Sequence, residues 1–248
     1  MYDYKTSKAN IINILKSKTP IESKSNIPCD KEFTYENGVK TWIASIFIDI
    51  ENSSELFKNK DEKLARLMRA FTSEIICIFQ DLNLYNEIGI RGDCVYVIYD
   101  IKTNADLVKV FKIAYKLNTF MKMFNKIILD NGYDEIVAGI GIGCDEDLII
   151  KAGRSGTGIN DKIWIGKAVV DASNLSSIAH RNSVENIAMS ELFYNKVINI
   201  LNNSNPNYSN WIKKTYKIDK YGNKTKEVFY HCNIIQIDFG KWINGGMK

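Results

Sequence analysis

Two aspartates frame the chemistry open to this chain. Asp49 sits inside the apolar run "SIFIDIENSSEL", residues 45–56, and Asp93 follows Gly92 in "IGIRGDCVYVIYD", residues 88–100. A carboxylate among buried β-formers is costly unless it is paired, so Asp49 needs a partner. Two carboxylates brought together, with a backbone carbonyl such as that of Ile50, make an oxygen ligand set for Mg²⁺ or Mn²⁺, cations that keep positions open for phosphate oxygens. Ser53 and Ser54 follow at the start of a polar helix, where free N–H groups and hydroxyls suit a polyphosphate. Taken singly, Asp49 also reads as a helix cap and Asp93 as a turn residue.

Other polar residues fit round such a site. Arg91 can reach a base or phosphates, and Arg154 and Lys167 flank a Gly-rich loop where they can neutralise phosphate charge. Asn160 and Asp161 offer the donor and acceptor that a pyrimidine edge needs, or shape a turn. Asn174 can orient a ribose or triphosphate. The two histidines, His180 and His231, read as structural. Five scattered cysteines, Cys29, Cys77, Cys94, Cys144 and Cys232, form no Cys-x-x-Cys pair and argue against disulfides or a zinc centre. "GRSGTG", residues 153–158, lacks the Gly-Lys-Ser/Thr ending of a phosphate loop and precedes a strand. "GIGIG", residues 139–143, reads as a strand whose small residues leave room for a close approach.

These residues need a frame to hold them. Residues 41–50 have a strand pattern, and residues 62–82 place Leu64, Leu67, Met68, Phe71, Ile75, Ile78 and Phe79 on one helical face. Residues 85–90 and 94–99 read as strands meeting at Arg91-Gly92-Asp93, a tight hairpin signal. A long helix capped by Asn104 runs to about residue 130 and stops at Asn131-Gly132. "IVAGIGIGC" and "DLIIKAG" read as two partner strands; "KIWIG" is another, followed by a helix over "KAVVDASNLSSIA". Near the start, "SKANIINILK" suits a short helix capped at Ser7. "SNPNYSN" reads as a linker, and the tail as a hairpin around Tyr221-Gly222-Asn223. The expected plan is α+β, a ferredoxin-like sheet with helices packed on one face. It divides into an N-terminal extension over 1–40, a catalytic domain over 41–203 and a C-terminal β-hairpin extension over 204–248.

Composition narrows the classes. The chain has 248 residues, 45% hydrophobic and 25% charged, with a net charge of +4. The lysines are spread rather than massed, which speaks against nucleic-acid binding. No 18-residue apolar run marks a membrane span. The opening "MYDYKTSKAN" lacks the apolar core of a signal peptide, so a cytoplasmic location is expected.

The strand bearing Asp49, the polar helix start, the helix and the Gly-Asp hairpin together resemble the class III nucleotide cyclases, over residues 41–180. Their catalytic domains hold two metal ions on such a pair of aspartates. "AGIGIG" and the Gly-x-x-Val of "GKAVVDASNL" fit the same plan. "IIKAGRSGTGINDKIWIGKAVVDASNL" and "FYHCNIIQIDFGKW" resemble more narrowly the Pycsar cyclases, bacterial antiphage enzymes that make cyclic UMP or cyclic CMP. The resemblance implies a homodimer with active sites at its interface, two divalent ions (Mg²⁺ or Mn²⁺), a pyrimidine nucleoside triphosphate substrate and a separate effector that binds the cyclic nucleotide. It also implies metal binding by Asp49, Ile50 and Asp93; Asn174 is a separate catalytic candidate, read from its place in the helix rather than from the family pattern.

The purine enzymes of that class carry Lys or Glu four residues before the second metal Asp; here the position is Gly89. Their base-reading Asp or Cys falls near Ile163, and their Asn and transition-state Arg fall near Val170 and Asn174. The metal half of the site is kept while the purine-reading half is not, which implies a different base. UTP is the expected substrate, with CTP as the alternative; behind these stand a purine cyclase with unusual base contacts and a catalytically inactive nucleotide-binding regulator with the same fold.

Overall fold

A computed structural model describes residues 2–154, 156–218 and 223–248. In chain order the elements are α1 (Tyr4–Lys16), β1 (Ile21–Ser23), β2 (Gly38–Ile50), α2 (Ser53–Leu56), α3 (Glu62–Gln80), β3 (Tyr85–Arg91), β4 (Cys94–Asp100), α4 (Asn104–Asp130) and β5 (Ala138–Gly153). Then come β6 (Asn160–Ile165), α5 (Lys167–Ser176), β7 (Ile187–Ser190), α6 (Glu191–Ser204), α7 (Tyr208–Trp211), β8 (Lys213–Ile218), β9 (Lys224–Cys232) and α8 (Ile237–Asn244). The α+β plan holds.

The chain forms two bodies, residues 1–41 with 147–165, and residues 42–146 with 166–248. In the first, β1 pairs in parallel with the opening of β2, and β6 pairs antiparallel with the closing residues of β5. A cavity of about 160 Å³ there is lined by Asp30, Phe33, Lys151, Asn160, Asp161 and Lys162. The helix α1 is longer than its sequence suggests, because Asp3, whose side chain accepts from the Lys5 amide, caps it upstream of Ser7.

The second body is a mixed sheet in the order β3-β4-β2-β5-β7-β9-β8. Its core is set by alternation. Ile46, Ile48 and Ile50 of β2 join Val95, Val97 and Tyr99 of β4 and Ile140 and Ile142 of β5 in one buried cluster, with the inner faces of α3, α4 and α6. Each buried isoleucine side chain contributes about 1.5–3 kcal/mol. The intervening residues of those strands point to the opposite face.

Local signals fix the helices. Asp61 caps α3 through the Leu64 amide at 2.8 Å. The cap of α4 is Thr103 rather than Asn104, because Thr103 and Asp106 satisfy each other's backbone amides in a capping box. The segments "IVAGIGIGC" and "DLIIKAG" are one continuous strand, β5, since Asp145 and Glu146 interrupt its hydrophobicity without breaking its extended backbone. The helix α8 was not expected; Gly240 in its middle masked it. The β8–β9 hairpin forms, but Tyr221 and Gly222 at its tip lie outside the described residues.

The expected single helical face is corrected to two: α3, α4 and α6 cover one face of the sheet and α5 seats on the other, where the glycines of β5 leave room for it. A Cβ on Gly141 would overlap the Ala172 carbonyl, one on Gly139 the Ser176 carbonyl, and one on Gly143 the Ala168 carbonyl. The close approach expected of "GIGIG" is therefore that of a helix backbone. Among the described residues, no helix is long and apolar enough to cross a membrane.

Candidate active site

Asp49 is the next-to-last residue of β2, and its register partner on β4 is Cys94. Cys94 also pairs with Arg91 of β3, leaving Gly92-Asp93 as a two-residue hairpin loop. Gly92 sits at φ 64, a conformation that costs glycine nothing and that the first loop position of a II′ turn requires. This turn places Asp93 beside the end of β2. The two carboxylates feel each other: burial first, and then the charge of Asp93, push the Asp49 carboxyl above its usual range. The same causes, burial followed by Asp49 and Asp93, push the Cys94 thiol up to about 12, so it is a neutral neighbour.

Two positions that the sequence reading passed over complete the cluster. Glu51 continues the alternation of β2, and Arg181 lies beyond the end of α5. Arg181 Nη2 is 3.9 Å from Asp49 Oδ2, and its Nε is 3.7 Å from Glu51 Oε1. His180 Nδ1 is 3.4 Å from Glu51 Oε2. The Asp49, Glu51 and Arg181 side chains are 21–24% exposed, enough for a ligand to reach them. Nothing in spacing or composition links residue 181 to residue 49; only α5 lying against β5 does so. For Glu51 the signal was present, since it sits two residues beyond Asp49 near the end of an alternating strand.

Asp49 and Glu51 face one guanidinium and Asp93 adds its charge to that of Asp49, so the cluster carries excess negative charge. That charge balance, with carboxylate oxygens as the donors on Asp49 and Asp93 and a neutral thiol beside them, fits a hard divalent cation. Asp49, Asp93 and the Ile50 carbonyl are the groups that would hold it. Among the described residues, no group of three or more His, Cys, Asp or Glu side chains is arranged to hold a metal ion.

Farther along the same face, Phe47 of β2 stacks on Tyr96 of β4 with centroids 5.0 Å apart and planes at 13°. Gly89 of β3 is the register partner of Tyr96, and a Cβ there would overlap the Tyr96 ring. The Tyr96 hydroxyl donates to Glu87 Oε1 at 2.7 Å. Burial, then this bond, pushes the phenol up to about 12. Arg91 is exposed and interacts with Tyr96. An aromatic stack thus fills the space where a larger side chain at 89 would project.

The remaining candidates are distributed. Ser53 and Ser54 open α2, which has only four residues and no side-chain cap from Asn52. Asn174 is exposed on α5. Lys167 opens α5 and lines a cavity of about 360 Å³ with Asp145, Asp171, Lys217 and Glu227, apart from Asp49 and Asp93. In the other body, Arg154 is exposed at a turn whose Thr157 hydroxyl donates to the Arg154 carbonyl at 2.8 Å. Ser155 of that loop lies outside the described residues. Asn160 pairs with Gly153, and Asp161 accepts from the Lys162 amide at 2.8 Å. His231 is structural: its Nδ1 accepts from the Glu185 amide at 3.0 Å, leaving Nε2–H to donate to Thr215 Oγ1 at 3.0 Å.

No family model matches the chain. Individual relatives do. It is 40% identical over 247 residues to a uridylate cyclase of Treponema porcinum, covering 99% of this chain and 82% of that protein. It is 33% identical over 188 residues to a uridylate cyclase of Gulbenkiania mobilis, covering 73% of each. In fold it is similar to the adenylyl cyclase CyaB of P. aeruginosa, with a TM-score of 0.63, 19% identity, and 81% of this chain and 98% of that one covered. The guanylyl cyclase Cya2 has the same TM-score at 13% identity, covering 80% of this chain and 95% of that one. By its 40% identity to the Treponema porcinum enzyme over nearly its whole length, and by its class III cyclase fold, this chain belongs to the uridylate cyclases.

Proposed function

We propose that the protein converts UTP to 3′,5′-cyclic UMP and pyrophosphate. The observation that carries this reading is the Asp49–Asp93 pair, set at the end of β2 by a Gly-Asp hairpin, in a chain 40% identical to a uridylate cyclase. The ribose 3′-hydroxyl attacks the α-phosphorus, the O3′–P bond forms, the bond to the bridging oxygen of the β-phosphate breaks, and the hydroxyl proton is released. Asp49, Asp93 and the Ile50 carbonyl would hold two divalent ions, Mg²⁺ or Mn²⁺. When bound, these supply activation of the hydroxyl and neutralisation of the triphosphate. Ser53 and Ser54 offer hydroxyls to the phosphates. Arg91, which shares a sheet face with Tyr96, is placed to meet the base or the phosphates. Asn174 orients the ribose from α5. Arg154, Asn160, Asp161 and Lys167 are the remaining substrate-binding candidates.

The stack of Tyr96 on Phe47 at Gly89 supports a pyrimidine over a purine. It takes up room on the sheet face and offers no cationic or acidic side chain at position 89. The enzyme works as a homodimer with active sites at its interface, in the cytoplasm, and its product is a second messenger read by a separate effector in antiphage defence. Incubating the full chain with each of the four ribonucleoside triphosphates and Mn²⁺, then weighing the products, tests the reaction. Cyclic UMP is expected. Cyclic CMP would move the assignment to the other pyrimidine, and cyclic AMP, cyclic GMP or no product would overturn it.

A further inference from the structure

Arg181 is held from behind. Its Nη1 donates to the carbonyls of Ser176, at 3.4 Å, and Ser177, at the C-terminal end of α5 where the helix dipole favours a cation. From there its Nη2 and Nε face Asp49 and Glu51 at 3.9 and 3.7 Å, close enough for charge to act but beyond hydrogen-bond range. The backbone that delivers it is unusual. His180, Asn182 and Ser183 all take positive φ, at 64°, 50° and 67°, a region that non-glycine residues occupy at a cost. Among the described residues, Arg181 is the positive charge that opposes the rise of the Asp49 carboxyl.

We infer that Arg181 is an internal counter-ion of the metal carboxylates, so that a divalent cation enters this site together with a nucleoside triphosphate rather than alone. The inference rests on the metal-site reading above. A bare divalent ion approaching Asp49 meets the guanidinium as a like charge. The same ion bound to a triphosphate arrives with net negative charge, which the guanidinium attracts. Arg181 stays tethered to Ser176 and Ser177 in either case and acts through Asp49, as a positioning residue.

The test uses the full chain and Mn²⁺, with free Mn²⁺ followed by electron paramagnetic resonance and folding followed by thermal melting. The nucleotide is 3′-deoxy-UTP, which lacks the attacking hydroxyl. With the Mn²⁺ that 3′-deoxy-UTP chelates in solution subtracted by a protein-free titration, wild type is expected to bind Mn²⁺ at least tenfold more tightly with 3′-deoxy-UTP than without it. Arg181→Gln should bind Mn²⁺ alone at least tenfold more tightly than wild type, while Arg181→Lys keeps wild-type behaviour. A merely structural arginine would lower the melting temperature without raising metal affinity. Equal or weaker Mn²⁺ binding by Arg181→Gln overturns the inference. So does wild-type Mn²⁺ binding that ignores the nucleotide, a result that does not depend on the variant folding. If Asp49→Asn binds Mn²⁺ with 3′-deoxy-UTP as well as wild type does, the metal-site reading itself fails, and the counter-ion role falls with it.

Discussion

The ring of Tyr96 covers Gly89, its register partner on the neighbouring strand, so closely that a methyl group at residue 89 would share its space. The ring cannot swing away freely, because its hydroxyl is bonded to Glu87 and its other face lies on Phe47. Gly89→Ala should therefore cost about 1–3 kcal/mol, the usual range for overpacking a well-filled site. Urea denaturation measures it. Adding Tyr96→Ala should recover much of the loss, and strict additivity of the two substitutions would show that the ring is not the obstacle.

Asp49 should trade stability for function. Its charge is held against burial and against Asp93, with Arg181 as partial relief. Asp49→Asn is expected to melt at the same or a higher temperature than wild type near neutral pH without metal. Cyclic nucleotide formation should fall by about a thousandfold or more, the scale of several kcal/mol of lost transition-state stabilisation. A variant that melts lower and keeps its activity would contradict both halves.

The glycine face of β5 carries a sharper demand. At Gly141 the obstruction is backbone, the Ala172 carbonyl and Ser176 amide of α5, which cannot rotate aside as a side chain can. Gly141→Val should cost on the order of 3 kcal/mol or more and displace α5. Because the end of α5 holds Arg181, activity should drop further than the folded fraction does. Activity per folded molecule, from circular dichroism and product yield together, checks this.

His231 sets a pH dependence. Burial first, and Lys213 in addition, hold its imidazole below the usual 6.5, with Glu185 partly opposing. Protonation of Nδ1 would also remove the acceptor for the Glu185 amide. In the unfolded chain the ring takes a proton as pH falls through about 6.5, before the folded chain does, so stability is lost below that pH. Melting temperature should thus fall from neutral to mildly acidic pH in wild type, and fall less in His231→Gln, whose carbonyl can still accept the amide. Parallel slopes in the two proteins would remove His231 as the cause.

Much of this was legible because the signals were local. The apolar spacing of α3 and α4 put Phe71, Ile75, Phe111 and Leu117 in the core as read, and Arg91-Gly92-Asp93 made the hairpin. The proximity of Asp49 and Asp93 needed only that hairpin and an alternating strand. Arg181 and His180 were invisible, because their distance to Glu51 and Asp49 is set by a helix seated on glycines far away in sequence. Lys167 illustrates the converse: its place next to a Gly-rich loop suggested phosphate, yet it lines a cavity of alternating charge with Asp171, Lys217 and Glu227. The span of β5 was misread because polarity at Asp145 and Glu146 mimics a turn when hydrogen bonding is not visible.

The alternation along β2 has a consequence for how such a protein tolerates change. Ile46, Ile48 and Ile50 look into the core and Phe47 and Asp49 look out, so one strand carries both the reason to fold and the reason to exist. A slip of a single residue would drive Asp49 inward and move three isoleucines out of the core to the opposite face. Molecules that survive folding therefore carry the site in its correct frame, and damaged alleles should divide by type. A point substitution at Asp49 should leave an intact but silent protein, while a one-residue insertion or deletion within this strand should leave no protein to assay.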